Sequence, residues 1–159
     1  MNAEQIFSLV NLLAMAGWLL LIFAGKTRWA APVISGVILP LLFAVVYSGL
    51  LAGHLAGSAG SFQTLAGVSA LFENRWLLLA GWVHYLAFDL FIGAWQVRDA
   101  RVQGISHLLV IPCLLLTFLF GPAGLLLYFL IRCFVGRTSW SAADVGPDRR
   151  HTIQNVPET

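Results

Sequence analysis

The sequence predicts an all-α protein, an integral-membrane antiparallel four-helix bundle whose fourth helix is kinked. Composition is the first reason: of 159 residues, 59% are hydrophobic and 10% are charged, whereas about a quarter of a soluble domain is charged. Apolar runs are the second, because about 20 apolar residues cross a hydrocarbon core of about 30 Å. The net charge of +2 is small. With no basic stripe interleaved with aromatics, nucleic acid is not an expected partner.

The first two predicted spans cover residues 6–24 and 33–51. The first ends at Gly25, followed by two cations and Pro32, and the second contains Pro40. The N-terminal segment has no basic region before its apolar run, so we expect a retained helix and not a cleaved signal peptide.

The segment between the second and third spans is richer in small and polar residues. Phe62, Leu65, Ser69 and Phe72 recur there at helical spacing. This pattern predicts a short helix lying at the membrane interface.

The third span covers 76–97 and the fourth covers 107–132. The stretch from His107 to Cys133 would form about 40 Å of helix, longer than the hydrocarbon core. Gly121-Pro122 falls near its middle, and a proline there removes one helical hydrogen bond. We therefore expect a kinked helix. The chain divides into a four-span transmembrane domain, 1–137, and a polar, flexible tail, 138–159.

Four spans would place both termini on one side of the membrane. Lys and Arg residues near the helix ends are almost equally divided between the two sides. The positive-inside rule therefore gives only a small preference for one orientation in the membrane. The basic turn with Lys26 and Arg28 favours termini outside. The expected location is a multi-pass position in a bacterial inner membrane.

An aspartate and a histidine lie deep in the third span. Asp89 is about 12 Å from its Val97 end, and His84 is about 12 Å from its Trp76 end. Charged groups at such depth are costly, rare and usually functional. Helical geometry places Tyr85 on the same stripe as Asp89. Asp89 is therefore a candidate general acid facing a cavity; the alternative is an acid buried purely for packing.

His84 lies on the neighbouring stripe with Phe88, Phe91 and Trp95, about 140° from Asp89. It either assists proton transfer or makes a neutral, hydrogen-bonded helix contact. The other histidines near the spans, His54 and His107, fall at span ends, where a wet interface explains them. At no level across the membrane do three possible zinc ligands come together, so no metal is expected. No cofactor is expected either.

Residues 80–132 are similar to a family of small four-helix membrane proteins related to the plant abscisic-acid-deficient type protein, which is associated with neoxanthin synthesis from violaxanthin. The segments "HYLAFDLF" and "PCLLLTFLFGPAG" carry the resemblance. The matching positions are His84, Leu86, Ala87, Asp89, Leu90, Phe91, His107, Pro112, Thr117, Phe118, Gly121, Pro122, Gly124 and Arg132.

The resemblance implies an isomerisation without a redox cofactor. An acid opens an epoxide, and loss of a proton then forms an allene, which requires an acid and a base beside an apolar slot. The predicted catalytic residues are Asp89, His84 and Tyr85. The predicted substrate-binding residues are Trp82, Phe88, Trp95, Thr117, Phe118 and His107.

Two classes of function follow. The first is an integral-membrane isomerase acting on a carotenoid or similar polyisoprenoid lipid by acid/base proton transfer. The alternative is a non-catalytic membrane protein that binds a lipid pigment or assists a biosynthetic complex. The expected partners are an apolar lipid or carotenoid ligand and the membrane lipids, and self-association into a homo-oligomer is left open.

Overall fold

The computed structural model describes residues 2–25, 27 and 33–135, and the predicted tail 138–159 lies outside them. All regular structure within these ranges is helical. A π-helix, Ile34–Ile38, leads directly into the second α-helix. The helices are α1 Ala3–Phe23, α2 Leu39–His54, α3 Leu65–Glu73, α4 Arg75–Gln103, α5 His107–Phe120 and α6 Pro122–Val135.

Helix α4 is the centre of the fold, because it contacts each of the other helices. Three helices in the described ranges are long and apolar enough to cross a membrane: Ala3–Phe23, Ile34–His54 and Arg75–Gln103. Half of the most apolar window of the third is buried, against 28% for each of the other two. The first two therefore expose much more of their apolar surface than α4 does. The short helix predicted around 62–72 is present as α3.

The proline in the second span produces a local change of helix type. Pro40 has no N–H to donate, and just before it the Leu39 N–H bonds to the Ile34 carbonyl, five residues back. The π-turn also brings Gly36 against α4, where an added Cβ would lie 2.9 Å from the Cβ of Ala94. The second span thus approaches α4 closely at this point.

The end of α1 is held by side chains from later in the chain. Arg101 donates to the carbonyl oxygens of Gly25 and Thr27, and His107 Nε2 bonds to the Ile22 carbonyl oxygen at 2.9 Å. The last carbonyls of a helix have no partner within it. His107 therefore satisfies a carbonyl that α1 leaves free, and Arg101 satisfies two carbonyls of the turn that follows α1.

The predicted fourth span is a hairpin of two short helices and not one kinked helix. The chain breaks at Gly121, as expected, but α6 then folds back along α5. Gly124 lies so close to Thr117 and Cys113 that a Cβ there would collide with their backbone atoms. In a continuous helix, Cys113 and Gly124 would be about 16 Å apart. Pro112, by contrast, lies inside α5 without ending it.

The hairpin changes where the chain finishes. Helix α6 runs beside α4 in the same direction, with the rings of Trp95 and Tyr128 5.5 Å apart and Arg132 paired to Asp99 at 3.2 Å. The end of α6 therefore lies near the end of α4. The start of α1 lies at the opposite end of the bundle, whereas four antiparallel spans would have brought the two to the same end.

The start of α1 is tied to the start of α4. Arg75 forms an ion pair with Glu4 at 2.6 Å, and both side chains are largely exposed. Exposed pairs of this kind contribute little to stability. The contact nevertheless marks which ends of the two helices lie together.

The reversal at Gly121 predicts a stability effect. Its φ is +48°, and an added Cβ would lie 3.0 Å from Asp89 Oδ1. Since a side chain in the left-handed region costs about 1–2 kcal/mol, Gly121→Ala should lower the free energy of unfolding by at least that amount, measured by denaturation in detergent. The matched control is Gly49→Ala in α2, where nothing lies within 4 Å of the new methyl. It should be neutral or stabilising by about 0.5–1 kcal/mol; equal effects at both glycines would contradict this account.

Candidate functional site

The candidate site lies where the middle of α4 meets the tip of the hairpin. Asp89 packs against Gly121, whose missing side chain leaves room for the carboxyl group. The side chain is partly exposed, but its Oδ2 atom is buried and finds no hydrogen-bond partner among the described residues. Asp89 was expected to point into the protein. Its Oδ2 atom does so, while the side chain as a whole is partly exposed.

Tyr85 lies one turn before Asp89 and joins it to the hairpin. Its hydroxyl donates to the Phe118 carbonyl oxygen at 3.0 Å and lies near the Asp89 carboxyl group. In a helix the Phe118 carbonyl would accept from the residue four positions on, which is Pro122 and has no N–H. Tyr85 therefore supplies the hydrogen-bond donor that Pro122 cannot provide to the Phe118 carbonyl oxygen.

A second polar contact lies further along the same interface. Gln96 Nε2 donates to Thr117 Oγ1 at 3.0 Å, and that hydroxyl donates to the Cys113 carbonyl oxygen at 2.8 Å. The Gln96 and Thr117 side chains are buried. The Gln96 amide nitrogen and the Thr117 hydroxyl are thus both hydrogen-bonded, as buried polar groups usually are.

A third contact lies at the open end of the hairpin, and sequence reasoning missed it. Tyr128 donates to Asp99 Oδ2 at 2.6 Å, and Arg132 Nε lies 3.2 Å from the same atom. The spacing of Tyr128 and Arg132 places both on one helix face, which was visible in the sequence. Their partner was not, because it depends on the reversal at Gly121.

His84 faces a different surface from Asp89, as its azimuth predicted, and no hydrogen bond joins the two. Its ring lies 4.6 Å from that of Phe88 and 5.4 Å from that of Tyr47 in α2. His84 also lines a half-open apolar cavity between α2, α3 and α4. The structure therefore separates the two residues that the sequence grouped as catalytic.

The predicted substrate-binding residues are also divided. Thr117 and the Phe118 backbone belong to the interface with Asp89, while Phe88 is 59% exposed. Trp82 donates from Nε1 to Asn11 Oδ1 at 3.1 Å. The remaining two predicted positions lie towards the open end of the hairpin: Trp95 against Tyr128 and His107 against α1.

Within the described ranges, no group of three His, Cys, Asp or Glu side chains is placed to hold a metal ion. The two carboxyl groups of the interface, Asp89 and Asp99, are ten residues apart on α4. That spacing corresponds to about 15 Å along the helix axis. The carboxyl group of Asp89 and the phenol of Tyr85 are both groups that can donate or accept a proton.

Comparison with known families identifies the chain. A family described as ABA DEFICIENT 4-like matches residues 5–128. The chain belongs to the ABA DEFICIENT 4-like family. The match confirms the resemblance seen in the sequence, and it includes Tyr85, Asp89 and Gly121. No curated protein and no solved structure matches the chain.

The Tyr128 contact predicts how strongly the hairpin is fastened. Tyr128→Phe removes a hydrogen bond to a carboxylate, worth about 1.5–3 kcal/mol, and should lower the midpoint of thermal unfolding in detergent. Tyr47→Phe makes the same change at a hydroxyl that bonds to no described residue, so it should be nearly neutral. If the Tyr128 variant unfolds like wild type, the contact does not fasten the hairpin.

Proposed function

We propose that this protein is an integral-membrane isomerase that acts on a carotenoid or similar polyisoprenoid lipid by acid/base proton transfer. The observation that carries the proposal is the buried, unpartnered Oδ2 of Asp89 at the hairpin tip. Membership of the ABA DEFICIENT 4-like family supports the class of substrate.

The energetics favour a chemical role for Asp89. A buried polar atom without a partner costs about 1–3 kcal/mol, and neighbouring helices could have satisfied it, as they do for Asp99. Tyr85 gives its only hydroxyl proton to Phe118, so towards Asp89 it offers lone pairs. A protonated Asp89 could donate to that oxygen or to a substrate atom placed nearby.

The proposed reaction opens an epoxide without net redox change. Asp89 gives its proton to the epoxide oxygen, and the C–O bond breaks. A proton is then lost from carbon, the allene forms, and the carboxylate takes up that proton. Asp89 is thereby returned to its acid form, with Tyr85 positioning it. The apolar substrate approaches at the hairpin tip, where Phe120, next to Gly121, is exposed.

A non-catalytic pigment-binding role is the second candidate. The apolar cavity beside His84 favours it, because such a cavity can hold part of a lipid without any chemistry. The two candidate functions differ in one requirement: the isomerase needs Asp89 to donate a proton to the substrate, and the pigment-binding protein does not.

Replacing Asp89 by Asn tests the catalytic role. The change keeps shape and a hydrogen-bonding amide, so folding should persist, whereas loss of a general acid should slow conversion by about 10²-fold or more. The measurement is pigment profiling in a host that makes an epoxycarotenoid, normalised to folded protein. Asp99→Asn is the matched control in the same helix: it should lower stability and spare the rate per folded molecule. Full conversion by folded Asp89→Asn protein would favour the pigment-binding role.

We also propose a membrane topology with three spans and a re-entrant hairpin. Arg98, Arg101 and Arg132 lie at the end of the bundle where the hairpin opens, and the opposite end carries Arg75, paired with Glu4. In the sequence, further Lys and Arg residues follow α1 and α6. Positively charged residues near span ends face the cytoplasm. The hairpin would then enter from the cytoplasmic side, with the start of α1 on the other side.

Cysteine labelling tests this topology. Cys133 is exposed near the end of α6, and Cys113 is buried. In intact cells a membrane-impermeant maleimide should spare Cys133 and label Asn2→Cys in a Cys133→Ser background. Permeabilised cells are the control, in which both positions should react. Labelling of both positions from outside would contradict the hairpin and restore a four-span arrangement.

A further inference from the structure

The cavity beside His84 is lined almost entirely by apolar side chains. Its volume is about 240 Å³, and it lies between α2, α3 and α4. The lining residues are Tyr47, Leu51, Leu55, Phe62, Leu71, Phe72, Leu77, Ala80, Gly81 and His84. From Leu77 to His84 the α4 wall extends about 10 Å along the helix axis.

Two hydrogen-bonding side chains interrupt this apolar lining. The rings of Tyr47 and His84 are tilted by 53° with their centroids 5.4 Å apart, and neither side chain bonds to a described residue. Polar groups in an apolar environment are costly without partners. A ligand oxygen lying between the hydroxyl and the imidazole would satisfy both.

The short helix α3 covers the cavity because α4 has a glycine beneath it. An added Cβ at Gly81 would lie 2.9 Å from the Phe72 ring, so the glycine allows that ring to lie on α4. The neighbouring Phe62 is 69% exposed and Phe72 is 47% exposed. An apolar ligand in the cavity would contact both rings.

We propose that this cavity binds the oxygenated ring end of an apolar lipid, with the ring oxygen held between Tyr47 and His84. Drug-sized ligands occupy cavities of about 300–1,000 Å³, so 240 Å³ accommodates one end group and not a whole polyene. The rest of the chain leaves through the open side, along the exposed apolar surface. The choice of a carotenoid, and with it of a ring, rests on the proposed function; the small apolar end group and its oxygen follow from the cavity.

This site is separate from Asp89. His84 and Asp89 lie about 140° apart around α4, and Asp89 is not among the lining residues. Binding here can therefore succeed or fail independently of the catalytic proposal, and it is measured without turnover.

The experiment compares zeaxanthin, whose rings each carry a hydroxyl group, with β-carotene, which has the same skeleton without oxygen. Purified full-length protein in phosphatidylcholine nanodiscs is titrated with each pigment, and induced visible circular dichroism gives the two dissociation constants. One hydrogen bond contributes about 0.5–1.5 kcal/mol, so wild type should prefer zeaxanthin by about two- to tenfold.

The variants Tyr47→Phe and His84→Leu, alone and combined, should remove this preference while β-carotene still binds. Val45→Ala on the exposed face of α2 is the matched control and should keep the preference. Asp89→Asn should also keep it, which separates this proposal from the catalytic one. Absence of binding, equal affinity for both pigments in wild type, or an unchanged preference in the double variant would each overturn the proposal.

Discussion

The chain reversal at Gly121-Pro122 is the constraint on which the C-terminal third of the fold depends. Glycine permits the positive φ and leaves the space that the Asp89 carboxyl group occupies. Proline ends the hydrogen-bond pattern of α5 and frees the Phe118 carbonyl, which Tyr85 then satisfies. The same two residues therefore form the turn and shape the surroundings of Asp89. A change in either residue type at the turn alters the candidate site as well as the fold.

Polar contacts fasten the hairpin to α4 from its tip to its open end. Between helices in lipid there is no hydrophobic driving force, so association depends on close packing and on interhelical hydrogen bonds. Gly124 supplies the close approach of α6 to α5. Gln96 with Thr117 and Asp99 with Tyr128 supply the bonds between α4 and the hairpin. Gln96 and Asp99 of α4 thus both make their polar contacts with the hairpin.

Much of the fold could be predicted from the sequence, and the hairpin shows where the prediction stops. Hydropathy located three long helices, and the depth of Asp89 in the third identified the candidate site. The 107–132 run is compatible with a kinked span or a hairpin, because glycine and proline indicate a break but not its angle. That angle depends on contacts with Asp99 and Tyr85, which lie far away in the sequence. The pairing of Tyr47 with His84 was equally invisible, since it requires the register of α2 against α4.

The two aspartates of α4 provide the clearest argument about where function lies. Both belong to one helix and both face the hairpin. Asp99 accepts a hydrogen bond from Tyr128 and pairs with Arg132 at one oxygen, which is how a structural carboxylate is satisfied. Asp89 has a buried oxygen with no partner in the described part of the chain, although hydroxyl-bearing side chains lie along the same interface. A purely structural acid at that position would be expected to gain such a partner. Its absence leaves an atom able to exchange a proton with a bound molecule, and this distinguishes Asp89 from Asp99 as the candidate for chemistry.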